Sequence, residues 1–245
     1  MSATLADWAA VVLAGGLGTR IRHLHPDVPK PMIPVCGRPF IEWVARYLRN
    51  QGLTEIVLSS GHLSEVVDRH FRAQPVPQTR ILCVPESEPL GTAGGFLNAA
   101  HKSGLHPKGW LVLNGDSLVF AELAQATALI SSKNADGVFV GTRVPDAARF
   151  GTLDTNSEGK LLGFAEKRPG AGVINAGVYL FKQELMEQFP PERPLSFEKD
   201  VFPRWLAGGR RFQVIEAAPP FLDIGTPESL ALAEDFISEN QRWFG

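Results

Sequence analysis

Cysteine is scarce: Cys36 and Cys83 are the only two in 245 residues. One pair cannot build the disulfide framework of a small secreted domain, and nothing beside either has metal-ligand spacing. Both read as ordinary small packing residues. An excess of either charge is also missing. The chain carries 24 Lys and Arg against 26 Asp and Glu, a formal net charge of −2. That balance gives no general pull toward nucleic acid or an anionic membrane, so any phosphate recognition has to be local. No apolar run reaches the ~20 residues of a membrane span. The opening MSATLADWAA has no basic stretch ahead of its apolar residues and does not read as a secretory signal. Repeats, low-complexity tracts and Pro/Ser-rich linkers are absent. The expectation is a cytoplasmic protein with no nucleic-acid and no membrane partner, and with enough apolar residues, 44%, for one large core.

What is present alternates. WAAVVLA, EIVLSS, RILCVPE, WLVLNGD and GVFVGTRV read as buried strands. Between them PFIEWVARYLRNQG, SEVVDRHFRA, GGFLNAAHKSG and AELAQATALISSKNA carry apolar residues at helical spacing. Strand–helix alternation predicts an α/β fold: a Rossmann-like, doubly wound, mostly parallel sheet with helices on both faces. The pattern changes near Asp146. GTLDTNSEGKLLGFAEK predicts a hairpin turning at Glu158-Gly159, GVINAGVYLFK a long strand, and SFEKDVFPRWLAGG a helix interrupted at Pro203. RFQVIEAA predicts a strand and TPESLALAEDFISENQR one terminal helix capped by Thr226. The chain thus reads as a single domain over 1–245. Its first half spans about 8–145, and a mixed half of about 146–245 continues the sheet and adds a small substrate-facing lobe.

The loop after the first strand, VVLAGGLGTRIRHLHPDVPKPM, carries the chemistry. In open parallel sheets ligands bind beyond the carboxyl ends of the strands. Gly15, Gly16 and Gly18 allow close backbone approach, so that successive N–H groups can meet phosphate oxygens. A P-loop needs G-x-x-x-x-G-K-[ST], which does not occur. A dinucleotide fingerprint needs a third small residue where Ile21 stands. What remains is L-A-G-G-x-G-T-R followed by P-K-P, which presents Arg20 and Lys30 behind a glycine loop. His23 and His25 lack a third ligand and do not read as a metal site.

These residues resemble the sugar-1-phosphate nucleotidyltransferases, the nucleoside-diphospho-sugar pyrophosphorylases. LAGGLGTR at Leu13–Arg20 and PKPM at Pro29–Met32 match that family's signature. EPLGTAGG, LNGD, EKRP, NAGVY and DIGTPE follow in the family's order over more than two hundred residues. The resemblance implies attack of a sugar 1-phosphate on a nucleoside triphosphate, with release of pyrophosphate. Two polyanions must meet, so neutralisation and alignment dominate. Arg20 would brace the leaving pyrophosphate by forked hydrogen bonds. Lys30, aimed by its flanking prolines, would meet the α-phosphate and the incoming phosphate. Nucleotide contacts are expected from Leu13, Ala14, Gly15, Gly16, Gly18, Thr19, Glu86, Gly91, Thr92 and Asn114.

Asp116 closes an apolar strand, and Asp223 follows another apolar stretch. A carboxylate suits Mg²⁺, a hard ion that prefers oxygen ligands, and the family uses such a pair to hold the ion between two phosphate-bearing substrates. Asp223 also suits a simple Asp turn before glycine. The resemblance points Lys167 at the sugar phosphate and Glu166 and Asn175 at sugar hydroxyls, while a hairpin-end ion pair and a turn amide are their plainer roles. Glu198 is either a sugar-hydroxyl acceptor or a partner of a Ser196 helix start. Gly151 would admit the sugar closely. Trp8, Trp43, Trp110 and Trp205 lie in or beside apolar segments and read as packing.

Base choice rests on Glu86, which stands five positions before Gly91, where uridine- and thymidine-specific relatives usually carry glutamine. A carboxylate only accepts hydrogen bonds. It suits guanine, which offers two adjacent donors, better than uracil, which offers one donor between two carbonyls. GTP is therefore the expected nucleotide, with UTP kept as the alternative. DVPKPM, RFGTL, SFEKDVF and FLDIGTPE look most like D-glycero-D-manno-heptose 1-phosphate guanylyltransferases. Mannose-1-phosphate guanylyltransferases and muramate- or hexose-1-phosphate uridylyltransferases remain open, as do a catalytically inactive nucleotide-sugar-binding regulatory subunit and a homo-oligomeric state.

Overall fold

The computed structural model describes residues 5–16, 21, 28–61, 63–165 and 169–245. Strands β1 (Trp8–Ala14), β4 (Glu55–Ser60), β5 (Arg80–Pro85) and β6 (Gly109–Asn114) run parallel, in the order β5-β4-β1-β6. Their crossovers are helices α1 (Phe40–Asn50), α2 (Ser64–Ala73) and α3 (Gly91–Ser103). A two-residue ribbon, β2 (Pro34–Val35) with β3 (Arg38–Pro39), leads into α1. After β6 come the short strand β7 (Ser117–Val119), helix α4 (Leu123–Ser132) and β8 (Gly137–Val144).

The second half completes the same sheet. The hairpin β9 (Thr152–Thr155) and β10 (Leu161–Ala165) turns through Gly159, where φ is +75°. The eleven-residue β11 (Gly172–Lys182) then inserts antiparallel between β6 and β8, pairing with both. β12 (Phe212–Ala217) adds in parallel to β8, and β13 (Phe221–Asp223) pairs antiparallel with β7 outside the sheet. Nine strands share the main sheet among the described residues. It is mostly parallel on the β5 side and mixed around β11, as the change of pattern near Asp146 implies.

Alternation along β1 divides the core. Ala10, Val12 and Ala14 face a cluster that includes Val44 and Leu48 of α1 and Ala126 of α4, while Ala9 and Val11 face Phe96 of α3 and Phe202 and Trp205. Helices therefore cover both faces, because each strand is apolar on both. Phe96, Phe139, Tyr179, Phe181, Phe197, Phe202, Trp205 and Phe212 form a buried aromatic core on the second face. Trp8, Trp43, Trp110 and Trp205 are all buried packing residues.

Two local expectations need correction. Pro203 does not interrupt a helix. It sits in the first turn of α5 (Phe202–Ala207), where its missing N–H costs nothing, after a π-helical turn at Phe197–Val201. The terminal segment is two short helices, α6 (Pro227–Ala231) and α7 (Ala233–Glu239). Thr226 does cap the first, in a reciprocal box with Ser229.

Candidate active site

The chain proceeds from β1 to β4 and β5 on one side, then crosses back to β6 on the other. That reversal opens a crevice at the carboxyl ends of β1 and β6, the position where such sheets bind ligands. Leu13 of β1 lies directly opposite Asn114 of β6 there. Two cavities meet at this point. One, of about 410 Å³, is lined by Gly15, Glu86, Pro89, Gly91 and Thr92. The other, of about 430 Å³, is lined by Ala14, Lys30, Phe150, Asn175, Phe221 and Asp223. Leu13, Gly16, Asn114 and Asp116 form a wall common to both.

Asp116 and Asp223 converge although 107 positions separate them. β7 and β13 pair with Ser117 opposite Asp223, and Ile224 N donates to Asp116 O at 3.0 Å. Lys30 reaches both carboxylates. Its Nζ lies 2.6 Å from Asp116 Oδ2 and 3.5 Å from Asp223 Oδ1. The ammonium sits on a three-residue 3₁₀ turn whose Pro31 and Met32 are buried, so its backbone is anchored. Asp223 Oδ1 also accepts from Gly225 N at 2.7 Å, so the residue forms the simple turn as well.

Two carboxylates facing one cation are a donor set that fits a hard divalent ion, with the ammonium as its stand-in. A side chain at Gly225 would crowd that pair: a Cβ there would lie 2.8 Å from Asp223 Oδ1 and 3.2 Å from Lys30 Nζ. No group of three or more His, Cys, Asp or Glu side chains converges among the described residues. A divalent ion here would have to complete its shell with water and phosphate oxygens, as Mg²⁺ commonly does.

Glu86 occupies a slot in the wall of the smaller cavity. Its Oε1 accepts from the fully buried Ser59 Oγ at 2.8 Å. A Cβ on either Gly15 or Gly95 would come within 2.7 Å of that oxygen, so the slot exists because both lack one. Leu90 N approaches Oε2 at 3.4 Å. Ser59 Oγ also lies 3.1 Å from Gly95 O, so its single proton has two acceptors to choose between.

The NAGVY segment is a β-bulge. The β11–β8 register shifts between Asn175 and Val178, and Gly177 takes φ +71°. Only a residue without a side chain fits there, because a Cβ would collide with the Asn114 amide. The bulge aims Asn175 into the larger cavity. Its Nδ2 donates to Tyr179 Oη at 2.9 Å and its Oδ1 accepts from Gly177 N at 3.0 Å. Tyr179 in turn donates to Glu198 Oε1 at 3.3 Å. Burial pushes the Tyr179 hydroxyl well above its ordinary pKa, and the nearby Glu198 charge adds to the shift.

Glu198 lines neither cavity. It links them, because Thr92 Oγ1 and Ser196 Oγ both donate to its Oε2, at 3.1 and 2.9 Å. It does not return the Ser196 cap: Ser196 Oγ accepts from Lys199 N, and the reciprocal acceptor for Ser196 N is Asp200. Gly151 is exposed, and its carbonyl accepts from Asn175 N at 2.9 Å; the cavity wall beside it is Phe150. Gly18, Thr19, Arg20, Glu166 and Lys167, with His23 and His25, lie outside the described residues.

Three residues of this region escape sequence reasoning. Phe150 and Phe221 pack edge to face, with ring centroids 5.8 Å apart, and line the larger cavity. Both fall inside the family-like stretches RFGTL and FLDIGTPE, but nothing local marks either ring as a cavity wall. Ser59 had a faint signal, a pair of serines ending an otherwise apolar strand.

With the crevice, Gly15 and Gly16 and the convergent aspartates placed, comparison with known proteins decides the family. The nucleotidyl transferase family profile matches residues 9–240. The chain belongs to the nucleotidyl transferase family. A mannose-1-phosphate guanylyltransferase of Mycobacterium tuberculosis is 36% identical over 223 residues, 89% of this chain. The chain spans only 61% of that protein's length. A D-glycero-alpha-D-manno-heptose 1-phosphate guanylyltransferase of Aneurinibacillus thermoaerophilus is 30% identical over 226 residues, 92% of this chain and 96% of the relative. Among solved structures, HddC from Yersinia pseudotuberculosis complexed with GMP-PN superposes with a TM-score of 0.78 at 31% identity. That match covers 94% of this chain and 99% of HddC. Among the described residues no helix is long and apolar enough to cross a membrane.

Proposed function

We propose that the protein transfers a nucleotidyl group from GTP to a sugar 1-phosphate, releasing pyrophosphate. The observation that carries this reading is the wall of Leu13, Gly16, Asn114 and Asp116 shared by two cavities, with Lys30 and Asp223 at the same point. One cavity takes the nucleotide, with its base toward Glu86 and its phosphates over Gly15 and Gly16. The other takes the sugar phosphate, with Asn175 toward hydroxyls and Phe150 and Phe221 against the apolar edge of the ring. The two phosphate groups then meet beside Lys30.

A non-bridging oxygen of the sugar phosphate forms a bond to the α-phosphorus, and the bond from that phosphorus to the α–β bridging oxygen breaks. Lys30 offsets charge where the two phosphates crowd, an effect strongest in the transition state. We assign Arg20 to the departing pyrophosphate and Lys167 to the sugar phosphate, on their place in the family motifs. We assign Glu166 to sugar hydroxyls on the same ground. Gly151 and Glu198 act in this reading by holding Asn175 and Thr92 rather than by touching the sugar. Asp116 and Asp223 would hold Mg²⁺, which when bound supplies charge neutralisation at phosphate oxygens. The whole chain acts as one domain, nucleotide half first and sugar half second.

Glu86 favours guanine, since a carboxylate pinned by Ser59 can accept from N1–H and N2–H₂ together. Both guanylyltransferase relatives and the GMP-PN-bound HddC support that choice. D-glycero-D-manno-heptose 1-phosphate is the preferred sugar, because the heptose-type relative matches almost end to end. Mannose 1-phosphate is the second candidate, on the higher identity to the mycobacterial protein. The test is pyrophosphate release from each nucleoside triphosphate with a panel of sugar 1-phosphates, with and without Mg²⁺. GTP with a manno-configured sugar 1-phosphate should turn over only with the metal. Absence of turnover with every pair would overturn the proposal.

A further inference from the structure

We propose that Lys30 is a displaceable resident counter-ion: its ammonium and a divalent metal compete for the same two carboxylates. In the nucleotide-free protein the lysine therefore keeps metal affinity low until a polyphosphate draws it away. The inference rests on the functional reading above and adds to it how that site is regulated.

The competition follows from where the oxygens face. Lys30 Nζ lies 2.6 Å from Asp116 Oδ2, a charge-assisted hydrogen bond, and 3.5 Å from Asp223 Oδ1. The lysine side chain is only 12% exposed, against 34% and 31% for the two aspartates. An ion coordinating those oxygens would lie within a few ångströms of the ammonium, and like charges at such a distance repel strongly where water is partly excluded. The ammonium and a metal ion cannot both hold Asp116 Oδ2 and Asp223 Oδ1 at those distances.

The geometry also says which part moves. Pro31 and Met32 are buried, Met32 N donates to Pro29 O at 2.7 Å, and Ile33 N donates to Lys30 O at 3.2 Å. The turn is fixed, so adjustment falls to the flexible four-carbon stem of Lys30. Gly225 closes one flank, since even a Cβ there would come within 3.2 Å of Nζ. The open direction is the cavity that Lys30 lines with Asn114, Asn175 and Gly16. A phosphate entering there offers the ammonium a new partner and frees both carboxylates. Metal and nucleotide then bind with positive coupling, and by linkage each raises the other's affinity by the same factor. The same lysine serves the empty protein as internal cation and the loaded protein as phosphate ligand.

The test is Mn²⁺ binding to nucleotide-free protein, read from the electron paramagnetic resonance signal of the free ion, with circular dichroism to confirm folding. Lys30→Met should bind Mn²⁺ at least about tenfold more tightly than wild type, because a repelling charge is gone. Lys30→Gln serves the same purpose if the methionine variant does not fold. Lys30→Arg, which keeps the charge, should stay near wild type. Adding Asp116→Asn to Lys30→Met should abolish the gain. Mn²⁺ binding by the neutral variants no tighter than wild type, or a gain that survives Asp116→Asn, would overturn the inference. Turnover plays no part in this assay. A protein inactive with every substrate pair would remove the functional reading and leave a Mn²⁺ gain standing. An active enzyme without that gain would remove only the competition.

Discussion

Replacing Glu86 by glutamine tests the base-reading argument at its narrowest point. In the wild-type protein Oε1 is held by Ser59 Oγ at 2.8 Å, in a slot bounded by Gly15 and Gly95. The carboxylate is thereby presented as a fixed pair of acceptors. Glutamine keeps the shape, loses the charge and turns one acceptor into a donor. Against guanine that sets donor against donor at one position, and the surviving hydrogen bond becomes a neutral one. Hydrogen bonds to charged groups contribute roughly 1.5–3 kcal/mol, and an unsatisfied buried group costs about 1–3 kcal/mol. A loss of about 2–3 kcal/mol for GTP follows, roughly 30- to 160-fold in kcat/KM. UTP should lose nothing and should improve, because an amide can donate to a uracil carbonyl and accept from N3–H. The assay is pyrophosphate release with GTP and UTP at one fixed sugar 1-phosphate. Ser59→Ala should shift the GTP:UTP ratio the same way by about 1 kcal/mol, since it frees the carboxylate without changing it. A ratio unchanged within about twofold in Glu86→Gln would refute the reasoning and move base recognition elsewhere.

Gly225→Ala should abolish most turnover while leaving the melting temperature near wild type, since the atoms nearest the added Cβ are the movable tips of Asp223 and Lys30. A large drop in melting temperature would show that the backbone, not the carboxylate, yields. Lys30→Ala should cut kcat much more than it weakens nucleotide binding in isothermal titration, and equal losses would contradict its transition-state role. Tyr47→Phe should lower stability by about 2 kcal/mol, because the hydroxyl both donates to Ala121 O and accepts from Ala121 N in the core. In a chain of this size that is a fall of roughly 4–8 °C by calorimetry. Glu42, 1% exposed, should make stability pH-dependent. Burial raises its pKa, but hydrogen bonds from Arg46, His70 and Arg38 outweigh that and hold the carboxyl below the ordinary value. A depressed folded-state pKa adds stability above the unfolded pKa, and that stability is lost as pH falls through the folded one. Glu42→Gln should therefore be less stable than wild type at neutral pH, and the gap should close in acid melts.

The parts of this molecule legible in its sequence are those fixed by local periodicity or by an unusual local demand. Val11 and Val12 in an apolar run, and Val44 and Leu48 at helical spacing, declare their elements without help from elsewhere. Lys30 and Asp116 stand out because prolines or a strand end isolate them. The partnership of Asp116 with Asp223 is different. It depends on β7 and β13, three residues each, too short to show any period. The antiparallel insertion of β11 is a tertiary choice, since eleven apolar-rich residues look the same in either direction. Phe150 and Phe221 resemble ordinary core aromatics until the fold sets both against the larger cavity. The break at Leu232 between α6 and α7 has no Pro or Gly to mark it, and the surrounding contacts provide no physical account of it.

Anomalous scattering from crystals grown with Mn²⁺ and a non-hydrolysable GTP analogue addresses the shared metal site most directly. The account predicts a peak within bonding distance of carboxylate oxygens from both Asp116 and Asp223, with Lys30 turned onto a phosphate oxygen. A peak bound to neither aspartate, or to one with Lys30 still on the other, would contradict it.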